Sequence, residues 1–322
     1  MPVSVKKQSP ALATNGAPTK APTGSVLSEG IPVSDMADDF VRLVLYGQNR
    51  VGKTHLACTF PKPLLLVSFE PARTGGASTV KKVAGITYLH IVAKGKLDHR
   101  GMVQHEWASE KATRLALELQ RNCPFRTVVL DTVTSYQDLI LQEIKNLPEM
   151  PEQLNWGAVT MDEYRQRSER TREALRPFIH VGADVVFCAQ QRDHNRVEGD
   201  RTSKLMRGIV AESFFAADLG GATVKWLHDA CDYVAQLYLD RETKVVRTEL
   251  PKVGKGPPKV NVEEVETGRQ VRRLRTMLHV NFAAGFRSAD PRNVPEWIGE
   301  PTWERIKAVV DGKRIEDAKY AD

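Results

Sequence analysis

The sequence predicts an α/β domain: a mainly parallel sheet flanked by helices, then an antiparallel hairpin and a short C-terminal extension. Three observations carry this. Runs such as "FVRLVLYG", "PLLLVSFE", "RTVVLD" and "ADVVFCAQ" are strand-length and apolar almost throughout, so they need cover on both faces. Helix-period stretches alternate with them, as crossovers between parallel strands require. Hydrophobic residues form 41% of the 322 residues, enough for the core of one large domain or two small ones.

Residues 1–37 are rich in Pro, Ala, Ser, Thr and Gly, with no aromatic before Phe40. They bury too little apolar surface to offset ordering entropy and read as a disordered tail, with a partner-binding arm as the alternative. The predicted core covers 38–275. "FVRLVLYG" is its first strand and "KTHLACTF" the helix after it, stopped by Pro61 and Pro63. "PLLLVSFE" and "ITYLHIV" are the next two buried strands. His105 to Asn122 reads as an amphipathic helix with Trp107, Leu115, Leu117 and Leu119 as its apolar content. "RTVVLD" is a fourth strand and "SYQDLILQEIKNL" a helix. "MDEYRQRSERTREALRPFIH" is another helix, with Met161, Tyr164, Leu175 and Phe178 near one face. "ADVVFCAQ" is the fifth strand.

After Gln190 the polar, glycine-punctuated "QRDHNRVEGDRTSKLMRGIV" reads as a mobile loop. "CDYVAQLYLD" and "TKVVRTEL" look like a hairpin turning at Arg241-Glu242, with "VRRLRTMLHV" as a further strand. The extension, 276–322, ends in a helix within "PTWERIKAVVDGK". Thr302 is its N-cap, Glu304 suits its first turn, and Gly312 ends it.

Bulk properties exclude several classes. The net charge of +6 permits a polyanionic partner without demanding one. Cys58, Cys123, Cys188 and Cys231 form no CxxC pair, which argues against a zinc site or a disulfide framework. Cys58 and Cys188 lie in apolar runs and read as inert core thiols. No apolar run approaches the ~20 residues of a membrane helix, and no apolar stretch follows Lys6 and Lys7 as in a signal peptide. A reducing cytoplasm is the expected setting.

The chemistry starts with "GQNRVGKTH". Gly47, four residues, then Gly52-Lys53-Thr54 is the spacing of a phosphate-binding loop, here between a predicted strand and a predicted helix. Its glycines let backbone N–H groups converge on phosphate oxygens. Lys53 reaches the β- and γ-phosphates and Thr54 offers its hydroxyl to Mg²⁺. The expected ATP contacts are Gly47, Gln48, Asn49, Arg50, Val51, Gly52, Lys53, Thr54 and His55. Arg50 is an unusual residue there, and its side chain is expected to point outward, to a neighbouring subunit or solvent.

Asp131 ends a buried strand. It reads either as a partner of Mg²⁺ or as the cap of a helix beginning near Ser135. Thr132 follows it where many motor ATPases have a glutamate, so a water-activating base must come from elsewhere or hydrolysis is poor. Glu70 ends the strand after the phosphate-loop helix, at the sheet edge where ligands bind. It reads as that base, or as a surface residue of a turn. Gln190 reads either as a sensor of the γ-phosphate or as an ordinary polar strand end.

Together these pieces resemble the RecA-type ATPase core from roughly Asp39 to Lys259. Within it they resemble the phage and prophage RecA-like, RadA-related nucleotide-binding proteins of single-strand annealing and recombination. The resemblance implies a RecA-like P-loop NTPase fold and DNA-stimulated ATP hydrolysis with Mg²⁺. It makes Glu70 the catalytic glutamate and Gln190 the residue coupling nucleotide to single-stranded DNA. The loop after Gln190 would match one DNA-binding loop, with Asn155 to Thr160 near another. It also implies a homo-oligomeric ring or filament, a single-strand-binding protein as a possible partner, and a bacterial host cytoplasm for a phage-encoded chain. Lys252 and Lys255 read as donors to a neighbour's site or as a solvated basic turn. The other readings are a replicative helicase or its loader, a small-molecule kinase, and a nucleotide-gated interaction protein.

Overall fold

Strand β1 (Arg42–Gly47) lies between β7 (Asp184–Glu198) and β9 (Tyr233–Glu249), parallel to both. The computed structural model describes residues 40–70, 76–92, 94–97, 103–147, 159–198, 209–249, 260–276, 295 and 297–320. The tail expected over 1–37, residues 155–158, Lys252 and Lys255 lie outside them. On one side of β1 the sheet continues from β7 through β6 (Thr127–Asp131) and β2 (Leu64–Ser68) to β3 (Ile86–His90), all parallel. On the other side it continues from β9 through β10 (Val260–Thr276), β11 (Trp297–Gly299) and β12 (Ala318–Lys319), all antiparallel. Two short strands, β4 (Lys94–Leu97) and β5 (Val103–Glu106), form a separate antiparallel pair.

Strand period two divides the core into two layers. Val44 and Tyr46 of β1, Leu65 and Val67 of β2, and Val185 and Phe187 of β7 face one cluster. There they meet α2 (Ala108–Arg121), α3 (Val133–Ile144), α4 (Met161–Ile179) and α5 (Gly221–Ala230). Leu43 and Leu45, Leu64 and Leu66, and Val186 and Cys188 face the other cluster. It is closed by α1 (Lys53–Ala57) and α6 (Trp303–Val310). Continuously apolar strands thus serve two layers at once. Arg42 anchors the start of β1: its guanidinium donates to the carbonyls of Phe40, Ile179 and Val181, tying the strand to the end of α4.

Several elements depart from expectation, each for a physical reason. The helix expected from His105 starts at Ala108, because Trp107 is extended and the preceding residues pair with β4. Its buried stripe is Ala108, Ala112, Ala116 and Leu119, and Leu117 is exposed. In α4 the packing stripe begins at Ser168, so Met161 and Tyr164 are exposed, with Arg167 over the Tyr164 ring. β3 is an edge strand and only half covered. Thr132, rather than Asp131, caps α3, accepting the Ser135 N–H.

Within the stretch expected as a loop after Gln190, β7 runs on to Glu198 and pairs with β8 (Ile209–Ala217), while 199–208 lie outside the described residues. A two-stranded ribbon bonds its own backbone and needs no apolar face for that, so polarity alone does not exclude it. The hairpin expected to turn at Arg241-Glu242 instead runs straight through. β9 is one strand, and the reversal falls between Glu249 and Val260. Neither Arg241 nor Glu242 has the positive φ a tight hairpin turn needs.

The C-terminal segment packs on the α1 layer. Thr302 caps α6. Trp303 donates its backbone N–H to Thr59 Oγ1, and its ring lies 4.3 Å from that of Phe60. Ile306 and Val309 join the same cluster as Leu56. Among the described residues no helix is long and apolar enough to cross a membrane. Trp303→Ala should cost roughly 2 kcal/mol, less than a full Trp truncation because the ring is only half-buried. Urea denaturation measures it, and an unchanged midpoint would mean that α6 does not brace Phe60.

Candidate functional site

β1 ends at Gly47, where only glycine fits, since a Cβ there would stand 2.2 Å from the Leu237 carbonyl oxygen on β9. Beyond it the chain leaves the sheet as an exposed turn, Gln48 to Arg50, while β7 and β9 run on. Arg50 takes a left-handed conformation, φ 64°, and Gly52 sits at φ 105°. Val51, between them, is buried in the α1 layer and pins the loop. Arg50 is exposed, but it lines the cavity described below instead of pointing only to solvent or a neighbour.

Lys53 folds back over the loop, donating from Nζ to the carbonyls of Gly47 at 2.9 Å and Gln48 at 2.8 Å. Burial lowers its pKa, while Cys188, Asp131 and Glu70 pull the other way. Thr54 Oγ1 donates to Asp131 Oδ2 at 2.8 Å across 77 residues of sequence. Sheet register brings the rest to the same edge: Ser68 is level with Asp131, Asp131 with Cys188, and Gly47 with Gln190. Glu70, two residues past β2, accepts the Gly76 N–H through Oε2 at 3.1 Å.

These groups line a cavity of about 770 Å³ that includes Arg50, Lys53, Thr54, Glu70, Asp131 and Gln190. His55 and Asn49 also line it, and Gln48 and Asn49 share with Gln190 an adjoining smaller cavity. A groove between α2 and α4 is of similar size, but it holds none of these residues. Gln190 is not a strand end. Its N–H donates to Thr134 Oγ1 and its carbonyl accepts from Asp218 N–H, so it sits where the β7–β8 ribbon leaves the sheet.

Gly52, Gly76, Ser78, Thr79, Thr132 and Ser135 also line it, and sequence reasoning gave Gly76, Ser78, Thr79 and Ser135 no place in the site. Gly76 had a signal, the paired glycines after Glu70. A Cβ on it would lie 2.1 Å from Thr54 Oγ1 and 3.3 Å from Asp131 Oδ2. Only glycine lets the chain approach that pair so closely.

Burial, then the charge of Glu70, pushes Asp131 up to about 6, against the Thr54 hydrogen bond and Lys53. Two carboxylates and a hydroxyl here suit Mg²⁺, which takes one or two carboxylates, several waters and phosphate oxygens. Cys58 is pushed up to about 12 and Cys188 well above its usual value, both mainly by burial, so both are inert thiols.

The folded Asp131 pKa lies above the unfolded value of 3.8. Its contribution to stability is therefore intact below pH ~4 and is lost as pH rises through about 6. Asp131→Asn keeps an acceptor for Thr54 and removes the charge. Without nucleotide it should be the more stable protein at pH 8, by at most roughly 3 kcal/mol, with the difference vanishing near pH 4. Melting curves across that range test this, and equal melting at pH 8 would mean that the carboxylate carries no burial cost.

A family model described as an AAA domain matches residues 39–270, from just before β1 to within β10. No curated protein matches the chain. The match covers more than half of the sequence and every element that lines the cavity, on an α/β P-loop sheet: the chain belongs to the AAA-domain family of nucleotide-binding P-loop ATPases.

Proposed function

We propose that this protein hydrolyses ATP with Mg²⁺ on a RecA-like core and acts on single-stranded DNA in phage-type recombination or annealing. The observation that carries the reading is the 2.8 Å hydrogen bond from Thr54 to Asp131, with Lys53 and Glu70 lining the same cavity. Lys53 exchanges its loop carbonyls for the β- and γ-phosphates. Thr54 and Asp131 hold Mg²⁺, which when bound neutralises charge on the transferring phosphoryl group. Glu70 orients the attacking water in line with the γ-phosphate and accepts its proton. Its place beyond β2, beside the strand of Asp131, supports this role, since Thr132 offers no carboxylate.

Gln190 reports the γ-phosphate to the DNA-binding element. The support is its double backbone tie, to Thr134 on α3 and to Asp218 at the root of the β7–β8 ribbon. That ribbon, which begins at the Gln191–Ala217 pair, is the proposed DNA contact. Residues 241–275 hold ten Lys/Arg against five Asp/Glu, a balance that favours a polyanion. Assembly on the strand is as a homo-oligomeric ring or filament, with Lys252 or Lys255 reaching a neighbour's site.

ATP turnover with and without single-stranded DNA tests the reading, with stimulation expected to weaken as salt rises. Added strand unwinding would favour a helicase, and phosphate transfer to a small acceptor with no DNA effect would favour a kinase. Glu70→Gln should bind ATP as wild type does and lose hydrolysis about a hundredfold or more. Normal turnover in that variant would remove Glu70 as the base and favour a nucleotide-gated interaction protein.

A further inference from the structure

Arg272 belongs to none of the motifs above, yet its side chain reaches the phosphate loop. Its backbone is fixed on β10, level with Leu239 of β9, and its carbonyl accepts the Glu300 N–H at 2.8 Å. A Cβ on Gly52 would stand 3.1 Å from Arg272 Nε, 3.4 Å from Cζ and 3.6 Å from Cδ. Gly52 is required by its φ of 105°, and the Arg272 guanidinium lies against it on the side where a Cβ would stand.

The neighbouring arginines of β10 have partners. Arg273 pairs with Asp240 and lies 4.0 Å from the Trp297 ring centre. Arg275 donates to Gln236 Oε1 and lies 5.0 Å from the Tyr238 ring centre. Arg272 is exposed and makes no side-chain hydrogen bond, ion pair or ring contact among the described residues. A guanidinium carries five donors and a permanent charge. This one rests on the loop at Gly52, one residue before a second cation, Lys53, in the sequence.

We propose that Arg272 binds the polyphosphate of the nucleotide in the same subunit, so that the β9–β10 hairpin supplies part of the nucleotide site. The proposal rests on the ATPase reading above. Backbone amides of such a loop cradle the α- and β-phosphates, and Gly52 belongs to that run. The contact is thus with oxygens that ADP and ATP share, where a planar guanidinium can bond two at once. The Arg272 carbonyl holds Glu300, just before α6, which fixes the backbone from which the side chain projects.

Calorimetric titration of the full chain with ADP and with a non-hydrolysable ATP analogue tests this. Arg272→Ala should weaken both by about ten- to a hundredfold, with Arg272→Lys recovering part of the loss. Arg269→Ala, an exposed arginine on the same strand, should bind as wild type does. The nucleotide-free melting temperature of Arg272→Ala should match wild type; if it falls, Arg272→Gln, which keeps most of the side chain, decides the matter. Unchanged or tighter binding in the variant, or a loss confined to the ATP analogue, overturns the assignment and leaves the ATPase reading intact. A wild-type protein that binds neither nucleotide overturns both.

Discussion

The site depends on where β1 stops. The strand is held by parallel neighbours on both sides and packed on both faces, so its position in the sheet is over-determined. At Gly47 the Leu237 carbonyl closes off the space for any side chain. The chain leaves the sheet there while β7 and β9 continue, and the phosphate loop fills the step. Because neighbouring strands are in parallel register, Asp131, Gln190 and the residues after Ser68 emerge at the same edge. A residue inserted into any of these strands would turn its site residue to the opposite face.

The electrostatics follow from that convergence. Lys53 and Asp131 are both buried, and each is costly alone in a poorly solvated place. Two backbone carbonyls compensate the ammonium, and the Thr54 hydroxyl together with Lys53 compensates the carboxylate. Glu70 then works against Asp131 at close quarters. The balance suits a site that takes up a polyanion and a divalent cation together. The structure holds these charges in position at a cost to its own stability, a common trade at functional sites.

The phosphate loop was legible because its spacing is local: glycines, Lys53 and Thr54 lie within eight residues. The buried strands were legible because packing on both faces leaves continuous apolar runs. Edges and ribbons were not. β3 looks as apolar as a central strand, yet it has one neighbour, and the polar first arm of the β7–β8 ribbon looks like a loop because backbone pairing needs no apolar pattern. The hairpin turn was misplaced to Arg241-Glu242 because a change in charge is weaker turn evidence than a residue able to take positive φ. Met161 and Tyr164 sit at positions compatible with a helical face, but that face begins to pack only at Ser168.

By itself the sequence determined the fold class, the phosphate loop and the strand-end Asp131, since each depends on short-range pattern and the period of the backbone. Only the tertiary structure decided what meets what. Thr54 reaches Asp131 across 77 residues, Gly76 closes on both, Trp303 covers Phe60, and Arg272 lies on Gly52. These contacts join strands that are distant in sequence and adjacent in space. Their distances are set by sheet order and register, which no local pattern encodes.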